Sequence, residues 1–283
     1  MDRPSESSHL IFHNQVKIMG RTVFRKKNGV TLIELLIALV LSSILTAALY
    51  RAFISQQKTY TVQDQVAEMQ QNIRVALGQM TKEIRMAGYG GDMLSIFGHI
   101  NGFTDIITPG SNTITIILAD QVGVLKQDAA KGTQQLKVTN SRIFNTDKKR
   151  YLCLNGLNNY SVQSIVDDSV MLTAPLAEGH PIHQPVYLVK AISYYLGVSG
   201  VKTVLRRNEN TGGGGQPVAD NIEGLEFTYF DSNGNVTSNS PDIRMVKVGL
   251  TAKTNMPDPE LKGGDGYRRR RLSSNIKIRN LGL

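Results

Sequence analysis

The stretch Lys26-Lys27-Asn28-Gly29-Val30-Thr31-Leu32-Ile33-Glu34-Leu35-Leu36-Ile37-Ala38 joins a basic segment to an apolar run that holds a single acid. From Val30 to Tyr50 the chain reads VTLIELLIALVLSSILTAALY. These are about 21 residues, which as a helix rising roughly 1.5 Å per residue span about 30 Å, the hydrocarbon thickness of a bilayer. Glu34 is the only Asp, Glu, Lys or Arg within the run. A carboxylate at membrane depth costs on the order of 2.5–3.5 kcal/mol, so an acid at this position calls for a partner. In a secretory signal peptide the small-residue cleavage site follows the apolar region. Here Gly29 precedes it, so the apolar segment stays with the protein after any cut at that glycine.

The charge is uneven along the 283 residues, whose formal net charge is +9. Before Val30 stand Arg3, Lys17, Arg21, Arg25, Lys26 and Lys27 against Asp2 and Glu6, so nearly half of the excess lies ahead of the apolar run. Basic residues flanking a membrane span hold that end in the cytoplasm and send the remainder across. The high pI therefore needs no nucleic acid to explain it. Met19 opens a short basic segment, Met-Gly-Arg-Thr-Val-Phe-Arg-Lys-Lys-Asn-Gly, and is the expected start. Cys153 is the only cysteine, so an intrachain disulfide is excluded and the folded part relies on packing.

Past Tyr50 the polarity rises while the helical period continues. Val62, Val66, Met69, Ile73, Leu77, Met80 and Ile84 recur every three or four residues with polar residues between them, which predicts a helix with one face buried. No proline interrupts residues 30 to 87, and Gly88-Tyr89-Gly90-Gly91 closes the pattern. The helix expected is about 58 residues long, near 87 Å. From Ser95 the period changes to short β-branched runs bounded by Asn, Gly and Asp. Strands are expected at 113–119, 135–138, 141–144, 151–154, 160–166, 169–172, 186–196, 201–206, 225–230, 243–251 and 272–281. Gly197-Val198-Ser199-Gly200 reads as a hairpin turn, 211–216 as a flexible glycine loop and Asp231–Asn235 as a β-turn. The fold expected is α+β: a long N-terminal helix, transmembrane in its first half and amphipathic in its second, packed on an antiparallel sheet. The segments are 1–29, 30–50, 51–87 and 88–283.

The junction from Gly29 through Thr31-Leu32-Ile33-Glu34-Leu35 closely resembles the prepilin cleavage and methylation site of type IV pilins and type II secretion pseudopilins. Val30 stands where those families usually carry Phe. The resemblance implies that a prepilin peptidase cuts between Gly29 and Val30, removing a leader that includes Arg25, Lys26 and Lys27, and that Val30 becomes the N-methylated first residue. It also implies that Glu34 pairs with the free amine of a neighbouring subunit and sets the register of a helical filament. The hairpin followed by Gln216-Pro217-Val218-Ala219-Asp220-Asn221-Ile222-Glu223-Gly224-Leu225-Glu226-Phe227-Thr228-Tyr229, the strand Val246–Leu250 and the closing Ile278-Arg279-Asn280 resemble PilW-type minor pilins and, more distantly, pseudopilin J. The partners implied are prepilin peptidase, major and minor pilins, the pilus assembly platform and inner-membrane lipid. The location implied is a single-pass inner-membrane chain with a periplasmic C-terminal domain, later part of a surface fibre. A type II secretion pseudopilin, or a membrane-anchored periplasmic enzyme or binding domain using residues 88–185, are the alternatives.

No constellation of residues argues for catalysis, a cofactor or a metal, and an enzyme is not expected. His180-Pro181-Ile182-His183 reads as exposed loop histidines without further ligands nearby. Asp231, Asn233, Asn235 and Asp242 approximate calcium-loop spacing, but the glycine falls one residue early and the closing Glu is missing. The glycines at 212–215 lack the Lys-Ser or Lys-Thr and the helix of a phosphate loop. Arg268–Arg271 suits a solvated strand start, then a subunit contact; nucleic acid is the least favoured partner, with Tyr267 the only adjacent aromatic residue.

Overall fold

A computed structural model of the chain describes residues 29–144 and 148–281. The chain divides into two units, Met1–Gln56 and Gln57–Leu283, and helix α1, Leu32–Arg85, contributes residues to both. The expected start at Met19 and the leader residues Arg25, Lys26 and Lys27 lie outside the described residues. In the first unit every helical residue from Leu32 to Phe53 is exposed. This stretch meets the length and composition requirement for crossing a membrane, and its leucines and isoleucines point in all directions around the helix, as expected of a segment solvated by lipid.

In the second unit the predicted stripe becomes the buried face. Met69, Ile73, Met80 and Ile84 are buried, and Val62, Val66 and Leu77 are half-buried beside them. Ala76 and Ala87 complete the stripe at full burial, their small side chains letting the sheets approach the helix. Each large side chain so buried contributes roughly 1.5–3 kcal/mol. The helix ends where Gly88 takes a φ of 79°, a left-handed conformation that glycine adopts without cost. A Cβ there would meet Leu281 Cδ2 at 2.9 Å. The C-terminal segment also satisfies the helix end: the Arg279 N–H donates to the Arg85 carbonyl at 3.2 Å, and the Asn280 amide donates to the carbonyls of Met86 and Ala87, each at 3.3 Å.

The strands are antiparallel and form two sheets. In the larger, β1 (Ile107–Pro109), β2 (Thr113–Val124), β7 (Pro185–Ser199), β4 (Tyr151–Leu154), β5 (Asn158–Val166), β6 (Ser169–Leu172) and β3 (Gln135–Lys137) follow one another. Strand β7 is long enough to serve two neighbours on one side. Its residues Val186–Leu188 pair with β4, and Ser193–Ser199 pair with β8 (Lys202–Asn208), which in turn pairs with β9 (Gly215–Asp220). The smaller sheet is β10 (Ile222–Phe230), β11 (Met245–Lys253) and β12 (Arg269–Lys277). Side chains from both sheets close one core over the helical stripe, with Ile114, Ile116, Ile192, Leu205, Phe227, Val248 and Ile276 among them. The α+β architecture expected from the sequence is the one observed. A second core, built on Phe144, Leu152, Leu154, Val162 and Leu172, fills the β3–β6 region, and a third surrounds Met93 of the short helix α2 (Met93–Phe97).

Three local expectations are corrected. Ser141–Ile143 forms a 3-10 turn instead of a strand. An extended backbone would send Ile143 and Phe144 to opposite faces, whereas both pack on the second core. The hairpin turn is Gly200–Val201, since Ser199 already pairs with Lys202; Gly200 supplies the positive φ, 62°. The glycine run is slack only to Gly214. Gly215 enters β9, where Pro217 sits on the edge at a register shift opposite Leu205 and Arg206, a position that tolerates the missing N–H.

Candidate functional site

The Gly29–Glu34 junction leads into the start of α1. Thr31 stands just outside the helix, and its hydroxyl accepts the Glu34 N–H at 3.3 Å while its carbonyl accepts the Leu35 N–H at 3.1 Å. Thr31 is thus the N-cap and Glu34 the third helical residue, the Thr-x-x-Glu spacing of a capping box. The cap fixes where helical hydrogen bonding begins and leaves Gly29 and Val30 in non-helical backbone. Both are exposed, Val30 at 71%, and a Cβ added at Gly29 meets nothing within 4 Å. A peptide bond so placed is open to a protease. The Glu34 carboxylate is exposed in the first helical turn, where the unsatisfied N–H groups and the helix dipole favour negative charge.

The sequence-predicted residues thus fall into two groups. Gly29, Val30 and Glu34 lie together at the head of α1, while Val62, Val66, Met69, Ile73, Leu77, Met80 and Ile84 line the face that the second unit buries.

A polar network went unpredicted. Glu83, in the last turns of α1, accepts the Tyr194 hydroxyl of β7 at 2.7 Å and Arg207 Nε of β8 at 2.9 and 3.1 Å. Arg207 Nη1 reaches Glu209 at 2.9 Å. Glu209 also receives Lys190 of β7 at 2.7 Å, and Lys190 donates to Asp120 of β2 at 3.0 Å. Burial alone lowers the pKa of Arg207, but the Glu83 carboxylate and the bond to Glu209 outweigh it, and the net shift is upward. At Glu209 burial acts to raise the pKa; the bonds from Lys190 and Arg207 reverse this and hold it below the usual range. Burial, then the charge of Glu83, pushes the Tyr194 hydroxyl up. The network pins the helix to the sheet in one rotation. Two signals mark it in the sequence: Glu83 adjoins Ile84 on the apolar stripe, and Lys190 is the one charge in the run VYLVKAISYYL.

The remaining residues singled out earlier do not assemble. His180 is buried, at 5% exposure, which corrects its reading as an exposed loop residue; its backbone pairs with Ala129 and carries the ring inward. Asp231 accepts the N–H groups of Asn233 and Asn235 at 2.9 and 2.8 Å, closing the expected turn. Cys153 is buried, and that burial pushes its thiol up to about 12 from an ordinary 9.0. No group of three or more His, Cys, Asp or Glu able to hold a metal occurs among the described residues. Three of the four arginines at the start of β12 are paired: Arg268 with Asp258 at 2.6 Å, Arg269 with Glu223 and Asp265, and Arg271 with Glu226 at 2.6 Å.

Residues 24–50 match the prokaryotic N-terminal methylation motif, the prepilin signal of type IV pilin-like proteins. The match covers the leader's last residues, the junction and the membrane-length part of α1. Such a motif implies processing by a prepilin peptidase and association with pilins or pseudopilins. Neither the curated proteins nor the solved structures contain a match to the chain.

Proposed function

We propose that this chain is a minor pilin of the PilW type, which primes or caps a type IV pilus after losing its leader. The carrying observation is the exposed, non-helical Gly29–Val30 bond directly ahead of a capped helix of membrane length. Cleavage there leaves Val30 as a new amine at the head of an apolar helix. The assembly platform then draws the helix from the inner membrane into the filament core, among the helices of major and minor pilins. Glu34 pairs with the first amine of a neighbouring subunit, which offsets the cost of burying both charges and sets the axial register. The folded unit contributes shape and contacts at the fibre, and the protein performs no catalytic step of its own.

The experiment is to shear surface fibres from cells and probe them for a tryptic peptide of the folded unit, in wild type, a gene deletion and Glu34→Gln. Glutamine retains the capping-box geometry while removing the charge. The expected result is a low-abundance peptide in the fibres, loss of fibres on deletion, and processed Glu34→Gln protein that fails to enter them. Normal entry of Glu34→Gln would reduce Glu34 to a helix cap. Recovery only from the envelope, with fibres intact and export of folded proteins lost, would make the chain a pseudopilin. Full function on an unrelated membrane anchor would favour a periplasmic enzyme or binding domain.

A further inference from the structure

Strand β12 is an open sheet edge. It pairs with β11 on one side and, among the described residues, with no strand on the other. The Thr254 N–H donates to the Arg268 carbonyl at 2.9 Å and the Ile278 N–H to the Arg244 carbonyl at 3.0 Å. In the register that sets Met245 opposite Lys277 and Lys253 opposite Arg269, antiparallel alternation therefore turns the even-numbered residues of β12 toward β11. The N–H and C=O groups of Arg269, Arg271, Ser273, Asn275 and Lys277 point the other way. No backbone or side-chain hydrogen bond from a described residue reaches them.

Other sheet edges are short, blunted or partly covered. β1 and β3 are three residues each, and β9 carries Pro217 and a register shift. β10, the other edge of the same sheet, has a register shift after Ile222, and its outer side is met by the Ser111 carbonyl, which accepts the Phe227 N–H at 3.0 Å, and by the Thr237 N–H, which donates to the Tyr229 carbonyl at 3.0 Å. β12 has nine residues, no proline and an unbroken register. Cations on an edge commonly serve to repel a strand, but here the flanking arginines fold back across the sheet. Arg271 reaches Glu226 on β10 over Gly249, which has no side chain to block it, and Arg269 reaches Glu223 on β10. Glu223 and Glu226 lie across the sheet on β10, and Asp265, the second partner of Arg269, precedes β12 in the chain; none of these side chains bonds to the outward N–H and C=O groups of β12.

We propose that β12 accepts an acidic extended segment of another protein chain, which adds as a fourth strand to the β10–β11–β12 sheet. Charge chooses the occupant. Residues 268 to 279 hold Arg268, Arg269, Arg270, Arg271, Lys277 and Arg279 and no acid, and no described group pairs with the side chains of Arg270 or Lys277. A second copy is disfavoured, because antiparallel self-pairing centred on Ser273 sets Arg269 against the partner's Lys277, and like charges directly opposite destabilise a ladder. Main-chain bonds supply affinity in strand addition, and carboxylates placed along the cationic edge supply selectivity. This edge is independent of the fibre reading, since a chain that never left the membrane would carry it too.

The test uses the full chain in detergent micelles and a fluorescein-labelled peptide of alternating Thr and Glu, long enough to span β12. Two further peptides are controls, one N-methylated at every second residue to remove its ladder donors, the other with Lys in place of Glu. The acidic peptide is expected to bind, with the 269, 271, 273, 275 and 277 amides gaining protection from hydrogen exchange. N-methylation should weaken binding by about tenfold or more, as loss of ladder hydrogen bonds requires, and the Lys peptide should not bind. Ser273→Pro removes one outward donor while sparing the β11 ladder, and should weaken binding similarly with the unit still folded. Equal binding of the N-methylated peptide would reduce the edge to a cationic surface, and no binding of the acidic peptide would overturn the proposal.

Discussion

The two halves of α1 follow different rules of solvation within one continuous helix. From Leu32 to Phe53 all residues are exposed, and the apolar ones occur on every side. From Met69 to Ile84 a single stripe is buried, and residues such as Arg74 and Lys82 stay exposed. A helix apolar all round needs an apolar solvent or other helices, while a striped helix needs one folded neighbour. The difference shows how one helix can serve two environments with no break in its hydrogen bonding: composition changes while helical propensity does not.

The most severe way to break this contrast is a charge placed in each half. Ile73→Asp buries an unpaired carboxylate in the core and should cost more than about 4 kcal/mol, unfolding the second unit as judged by protease sensitivity in micelles. Leu39→Asp should leave that unit's denaturant midpoint unchanged and act on membrane insertion, at about 2.5–3.5 kcal/mol. Equal loss of the folded unit in both variants would erase the distinction.

A smaller effect should come from the polar anchor of the second half. Glu83→Ala leaves Arg207, whose side chain is 16% exposed, with Glu209 as its remaining acid and removes the acceptor of the Tyr194 hydroxyl. Loss of a buried partner costs about 3–5 kcal/mol, and the exposure of Arg207 together with its retained pairing reduces the expectation to about 1–3 kcal/mol, read from urea unfolding. A midpoint unmoved by this change would mean that the apolar stripe alone orients the helix.

Alkali should sharpen the contrast further. Burial pushes Cys153 up from 9.0 and Tyr229 up from 10.0, each to about 12, the latter against the lowering effect of its bond to Gly110. Between those values the folded state holds protons that the unfolded state has released. Rising pH therefore favours unfolding through the window from about 9 to 12, and the effect is absent below it. The slope expected is on the order of 1 kcal/mol per pH unit for each group. The stretch from Leu32 to Leu49, where Glu34 is the sole ionisable residue, should keep its helical circular dichroism through the same titration, while Cys153 becomes reactive toward alkylating reagents as the second unit opens.

What could be read directly was whatever rests on local pattern. The apolar run, the Gly29 junction, the single acid Glu34 and the stripe from Val62 to Ile84 are periodic or contiguous, and the structure retains the helix within two residues of each expected end. Ala76 and Ala87 escaped notice because alanine is common on either face of a helix, and only contact shows which one it occupies. The strand at Gly215–Asp220 is hidden by the glycines that run into it and by Pro217; pairing with β8 overrides their weak preference for extended structure.

The sequence by itself determined the helix, its division into an all-round and a one-sided apolar half, and the N-terminal methylation motif around Gly29, because each follows from neighbours within a few turns of the chain. Only the tertiary structure decided that Glu83 meets Tyr194 and Arg207, that Asn280 closes the end of α1, and that β12 is left as an open edge. Those outcomes join residues more than a hundred positions apart, or depend on which strand lacks a neighbour. They are settled by how the sheets close over the helical stripe, which no local propensity encodes.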